Sequence, residues 1–183
     1  MNLLKASVVF LFCCWSAGAQ QRQQGPWRQV LEDRLALYGH RNWIVIADSA
    51  YPLQSGPGIE TVLSGEGQIE TLRHVLLVLS KAKHVRPVVY LDKELSFVPE
   101  QDAVGIGAYR QLLAGLFENQ FPGQKVNTVL HEGIIHQLDE ASKTFNVLII
   151  KTNMTLPYTS VFLQLNAAYW GDAEEQRLRQ AIK

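Results

Sequence analysis

"GHRNWIVIADSAYP", residues 39–52, is the stretch on which the fold of this chain turns. Gly39 and His40 close an amphipathic segment, Trp43–Ala47 is apolar throughout, and the run stops at Asp48, the small pair Ser49-Ala50, Tyr51 and Pro52. A short, continuous apolar run bounded by turn residues suits a strand buried on both faces, as in a parallel sheet covered by helices. One such strand therefore carries an imidazole at its entrance and a carboxylate at its exit. Ligands of parallel sheets bind beyond the carboxyl ends of the strands, which places Asp48 well. His40 reaches such a site only if its loop folds over or a neighbouring subunit supplies it.

Working outward, Trp27, Val30, Leu31, Leu35 and Tyr38 recur at helical spacing behind Pro26, which suits a first helical turn. Residues 49–67 hold two prolines and several glycines and are expected to be mostly loop. A second helix is marked by Ile69, Leu72, Val75, Leu76 and Leu79, and "PVVYLD" is a β-branched strand. A third helix runs from Ile106 to Phe117, "VNTVL" is a strand, residues 131–145 are helical in pattern, and "NVLII" and "SVFLQL" are strands. Strand and helix alternate, which predicts an α/β layered domain: a largely parallel central sheet flanked by helices. The expected domain spans residues 27–165, with a C-terminal extension, 166–183, that carries a charged helix.

The first 19 residues, "MNLLKASVVFLFCCWSAGA", have one lysine, an apolar stretch from Ala6 to Trp15 and a small-residue triplet, the layout of a secretory signal peptide. The apolar stretch is well short of the ~20 residues a membrane-spanning helix needs. Export, periplasmic or secreted, is therefore expected, with a flexible leader over residues 20–26 and no membrane association once the signal is removed. Cys13 and Cys14 both lie in the signal, so the mature chain is expected to lack a disulfide, a cysteine-ligated metal and a cysteine nucleophile. The 17 acidic and 17 basic residues balance, with no basic run, which argues against nucleic acid as a partner. Asn153-Met154-Thr155 fits a glycosylation acceptor, relevant only in a eukaryotic secretory pathway.

Several motifs fall short of a known chemistry. "HEGIIH", His131–His136, nearly spells the zinc-protease pattern, but its histidines stand five apart rather than four, about 140° around a helix. "SGPG" and "SGEG" lack the spacing of nucleotide-binding loops, and no GxSxG elbow occurs. His74 and His84 are expected at the surface. His40 and Asp48 remain: a histidine titrates near neutrality and both accepts and donates protons. A carboxylate can fix its tautomer or hold a sugar hydroxyl. A histidine at a helix end and an aspartate capping a loop would be the purely structural alternative.

These residues resemble the ribose pyranase and fucose mutarotase family. The likeness rests on Gly39-His40, Trp43–Ala47, Asp48, the small pair, an aromatic and Pro52, then on "GIETVL" (58–63) and on "KTNMTLPYTSVFLQL" (151–165). The resemblance implies a cofactor-free isomerase of free ribose- or fucose-like monosaccharides, built as ring-shaped homo-oligomers with sites at subunit contacts. It further implies His40 as catalytic acid/base, Asp48 as its charged partner and Tyr158 as a sugar-binding tyrosine. Ser160 would also bind substrate, standing where the family has asparagine. A histidine of the next helix, His131 or His136, would join them. The alternative is a monosaccharide-binding protein on the same fold without turnover; a weaker one is a purely structural oligomer.

Processing by an exporting host is predicted to leave a mature protein beginning near Gln20. Intact-mass analysis checks this, and a membrane-bound product retaining Met1 and both cysteines would refute it.

Overall fold

The structure, a computed structural model, describes residues 26–182. The expected signal peptide with its two cysteines, and the leader up to residue 25, lie outside the described residues. Helix α1 (Pro26–Leu37) buries Trp27, Leu31 and Leu35, four residues apart along one face. Strand β1 (Trp43–Ala47) is buried along its whole length, as its uninterrupted apolar sequence predicts. Then follow β2 (Ile59–Leu63), α2 (Gln68–Lys81), β3 (Val85–Asp92), a 3-10 turn (Lys93–Ser96) and α3 (Ile106–Gln120). The chain continues through β4 (Val126–Val129), α4 (His131–Ser142), β5 (Val147–Lys151), β6 (Val161–Ala167) and α5 (Asp172–Ala181).

The six strands form one sheet in the order β2-β5-β1-β6-β3-β4. β1 and β2 pair parallel with β5, and β3 with β4, whereas β6 runs antiparallel to both β1 and β3. The sheet is thus largely parallel, with one reversed strand near its centre. Side chains alternate across it: Ile44 and Ile46 join α1, α2 and α3 in one core, while Trp43, Val45 and Ala47 join Ile134 and Leu138 of α4 in the other. Three layers result, with the sheet in the middle.

β2 corrects the expectation of loop across residues 49–67. It is an edge strand paired only with β5 and its residues stay half-exposed or exposed, so "IETVL" carries no buried apolar run to announce it. The approach to it is tight: a Cβ on Gly58 would stand 2.3 Å from the carbonyl oxygen of Phe145 and 2.6 Å from that of Ser142. Only a hydrogen fits there. His74 sits at the core margin rather than freely at the surface, its ring edge-on to Trp27 at 5.3 Å and its pKa lowered by burial.

At the carboxyl end of the sheet a buried glutamine ties the connections together. Gln68 Nε2 donates to the carbonyls of Ile46 at 3.0 Å and Thr159 at 2.8 Å, and its Oε1 accepts from Thr152 Oγ1 at 2.6 Å. The Tyr109 hydroxyl donates to the same Thr159 carbonyl at 2.7 Å. Each group is buried, so loss of a partner leaves a desolvated polar atom. Gln68→Leu is predicted to lower the unfolding free energy by on the order of 2–4 kcal/mol. Urea denaturation measures it, and a loss below about 0.5 kcal/mol would show that the clamp is dispensable.

Candidate functional site

Two strands of the sheet end on aspartates, Asp48 after β1 and Asp92 at the end of β3, and the reversed strand begins between them. Val161 of β6 is in register with Ile46 on one side and Leu91 on the other, so Ser160 comes level with Ala47 and Asp92. Adjacent strands lie about 4.8 Å apart, which brings the ends of β1 and β3 to about 10 Å from each other.

The Asp48 carboxylate is half-exposed and held from two directions. Its Oδ1 accepts the Ala50 backbone N–H at 2.9 Å, an Asx turn, and its Oδ2 accepts the Ser160 hydroxyl at 2.9 Å. Ser160 is buried, and its Oγ also accepts the Asp48 N–H at 3.3 Å. With its hydroxyl engaged in this way, Ser160 holds the Asp48 carboxylate in place.

Asp92 has no exposed side-chain surface. Its Oδ1 lies 3.1 Å from Nδ1 of His131, and its buried Oδ2 meets no donor among the described residues. Burial raises the Asp92 pKa to about 6; His131 opposes the shift, while the negative charges of Glu94 and Asp48 add to it. His131 opens α4, where its backbone N–H is received by both carboxylate oxygens of Glu94 at 3.1 Å. A negative charge at a helix N-terminus is favoured by the helix dipole. The Tyr158 ring meets His131 edge-on at 5.6 Å between centroids. Tyr158 holds φ at 57°, the left-handed region that bulky residues avoid, so its position is set by the surrounding contacts against a local strain. Beneath the site, the buried Tyr51 donates its hydroxyl to Gln54 Oε1 at 3.3 Å, and Lys151 Nζ donates to the Tyr51 carbonyl at 2.6 Å.

Asp48, Ser160, His131 and Tyr158 therefore gather at one end of the sheet. His40 does not join them. It precedes β1, which at about 3.3 Å per residue is roughly 16 Å long, so within one chain His40 and Asp48 flank opposite ends. His40 lines a cleft of about 540 Å³ with Arg41, Asn166, Trp170, Glu175 and Arg179. His136 is exposed on α4, turned about 140° around the helix from His131. Asp92 and Glu94 were not singled out in the sequence, although "PVVYLD" ends on an aspartate just as "WIVIAD" does. That shared ending was the available signal. Glu94 had none, because its role depends on where α4 begins.

Carboxylates, an imidazole one-third exposed and a phenol make a site suited to holding hydroxyls and moving protons. No family model matches the chain, and no curated protein matches it. Among solved structures it is similar to Bacillus subtilis RbsD complexed with D-ribose, at 26% identity over 75% of this chain and 91% of that one, with a TM-score of 0.51. FucU from Bifidobacterium longum shares 20% identity over 75% of this chain and 92% of that one, with a TM-score of 0.54. The fucose mutarotase from Streptococcus pneumoniae, solved with L-fucose, shares 23% over 75% and 91%, with a TM-score of 0.48.

The elevated Asp92 pKa gives a pH signature. Between the unfolded value of 3.8 and about 6 the folded state retains a proton that the unfolded chain has released. Stability therefore falls as pH rises through that window. At 1.36 kcal/mol per unit, Asp92 is predicted to remove up to about 3 kcal/mol between pH 4 and pH 7 relative to Asp92→Asn. Urea midpoints of the two proteins across this range test it, and a difference that does not vary with pH would contradict it.

Proposed function

We propose that the chain is a member of the ribose pyranase and fucose mutarotase family, which it resembles in fold and in two sequence motifs, and that it interconverts cyclic forms of a free monosaccharide by general acid–base catalysis. One observation carries the proposal: Asp48, His131 and Tyr158 converge at the carboxyl end of the sheet, held there by Ser160, Asp92 and Glu94. The structural relative from Bacillus subtilis was solved with D-ribose, and ribose- or fucose-like sugars are the proposed substrates.

Opening a hemiacetal requires a proton to leave the anomeric hydroxyl and another to reach the ring oxygen. The process already runs slowly in water, so an acid–base contribution of about 10²–10⁴ is enough, and no cofactor is called for. Asp48 accepts hydrogen bonds from sugar hydroxyls, and Tyr158 offers a ring face and a hydroxyl. His40 takes part as an acid/base contributed by a second copy of the chain, because its own Asp48 lies at the far end of β1. Phe97, 73% exposed, and Leu130, 59% exposed, border Tyr158 in an apolar groove of about 380 Å³, which supports a subunit contact beside the site. The proposed assembly is a closed homo-oligomer, and the signal-peptide layout of the first 19 residues supports export.

A second reading, monosaccharide binding without turnover, is favoured by Ser160. Its short hydroxyl is bound to Asp48 where the family has an amide with both a donor and an acceptor.

Saturation-transfer NMR on D-ribose and L-fucose separates the two. Exchange between sugar forms is expected to exceed that in buffer, in a protein that light scattering shows to be oligomeric at micromolar concentration. Affinity without accelerated exchange would select the binding reading, and a clean monomer would remove the shared site and the role of His40 with it.

A further inference from the structure

Any proton-transferring histidine must keep one ring nitrogen free and the other fixed. A neutral imidazole is a donor at one nitrogen and an acceptor at the other, and a hydrogen bond at the first decides which is which. His131 meets this requirement inside a single chain. Nδ1 faces the buried Asp92 carboxylate at 3.1 Å, leaving Nε2 as the free nitrogen, on a side chain 33% exposed. Its backbone is pinned by the two oxygens of Glu94, and its ring is braced by Tyr158. Asp92 is itself level with Ser160 across β6, so the pair stands beside the carboxylate that Ser160 holds. Among the described residues Asp92 has no other pairing: Oδ1 serves His131, and Oδ2 is buried without a donor. A buried carboxylate is unfavourable unless it is paired, and the His131 ring supplies that partner.

We propose that His131 is an acid/base of the sugar reaction and that Asp92 is its positioning residue, holding the Nδ1–H tautomer and stabilising the imidazolium as it forms. This rests on the functional reading above and names an in-chain partner for the proton transfer. In the forward step Nε2 takes the proton of the anomeric hydroxyl. The carbon–oxygen π bond forms at C1, and the bond from C1 to the ring oxygen breaks with its electron pair on that oxygen. The ring oxygen takes a proton from His40 of a neighbouring copy. On reclosure a sugar hydroxyl attacks the carbonyl from the other face, or a different hydroxyl attacks. The imidazolium then returns its proton to the carbonyl oxygen, and the attacking hydroxyl gives its proton to His40. Each cycle restores both groups.

The full chain labelled with ¹⁵N at histidine is the material for the test, with D-ribose as the probe. In the unmodified protein the His131 resonances at neutral pH are expected to report the Nδ1–H tautomer; an Nε2–H tautomer overturns the proposal without any substitution. His131→Gln is expected to slow ribose exchange at least 100-fold while ribose affinity changes less than threefold. Asp92→Asn is expected to slow exchange at least tenfold and to shift the His131 tautomer, because an amide can also present a donor to Nδ1. Two residues acting as one device do not multiply, so the double variant should be no slower than His131→Gln. Multiplying losses, or a tautomer unmoved by Asp92→Asn, would make Asp92 merely structural. Wild-type exchange with His131→Gln as fast as wild type would sink the pair alone. Wild-type exchange no faster than buffer would remove the functional reading, and this inference with it.

Discussion

A single reversed strand holds this molecule together. Among the described residues, β6 is the strand that joins the parallel block β2-β5-β1 to the parallel pair β3-β4, and it is hydrogen-bonded on both sides. Val161, Phe162 and Leu163 are fully buried, with alternate residues feeding the two cores, so one strand fastens the sheet and both helical layers. Its direction matters as much as its place. Because β6 runs against its neighbours, it begins where they end, and its preceding loop arrives among their carboxyl termini. Tyr158 and Ser160 are delivered to Asp48 and Asp92 by that reversal.

The loop that makes the delivery is anchored from below. Gln68 at the start of α2 and Tyr109 on α3 both donate to the Thr159 carbonyl, and Thr159 Oγ1 donates to the Leu156 carbonyl. Those bonds come from helices on one face of the sheet, while the Tyr158 ring meets His131 of α4 on the other. The strained φ of Tyr158 is sustained by this support. Preorganisation of this kind suits acid–base work, where a misplaced group loses its reach to the proton.

The polar residues at the α4 end oppose the stability of the layer that contains them. Asp92 lies next to an apolar cluster, within reach of two further negative charges, Glu94 and Asp48. His131 and the N-terminus of α4 offset part of that repulsion. The opposite end of the sheet has a different character: His40, Arg41 and Arg179 stand in an open cleft beside α5. One strand thus links two polar surfaces that a single chain never brings together. In the proposed homo-oligomer, a second copy would bring both to one ligand.

Much of this was legible in the sequence by itself. The unbroken apolar runs "WIVIA" and "VLII" determined strands buried on both faces, and the helical spacing of Trp27, Leu31 and Leu35 determined the face that covers them. An aspartate closing such a strand marked the carboxyl end of the sheet, where the candidate site lies, because strand direction follows from chain direction. β2 was not legible: a short edge strand buries little, and its half-exposed pattern carries weak periodicity. The direction and central place of β6 were not legible either, since "SVFLQL" reads identically in either orientation and pairing partners leave no local mark. The choice of His131 over His136 and the union of His131 with Asp92 across 39 residues depend on that pairing. So does the separation of His40 from Asp48, which stand close in sequence and apart in space. Local composition determines what a segment becomes; only the register of strands brought together from distant segments determines which side chains meet.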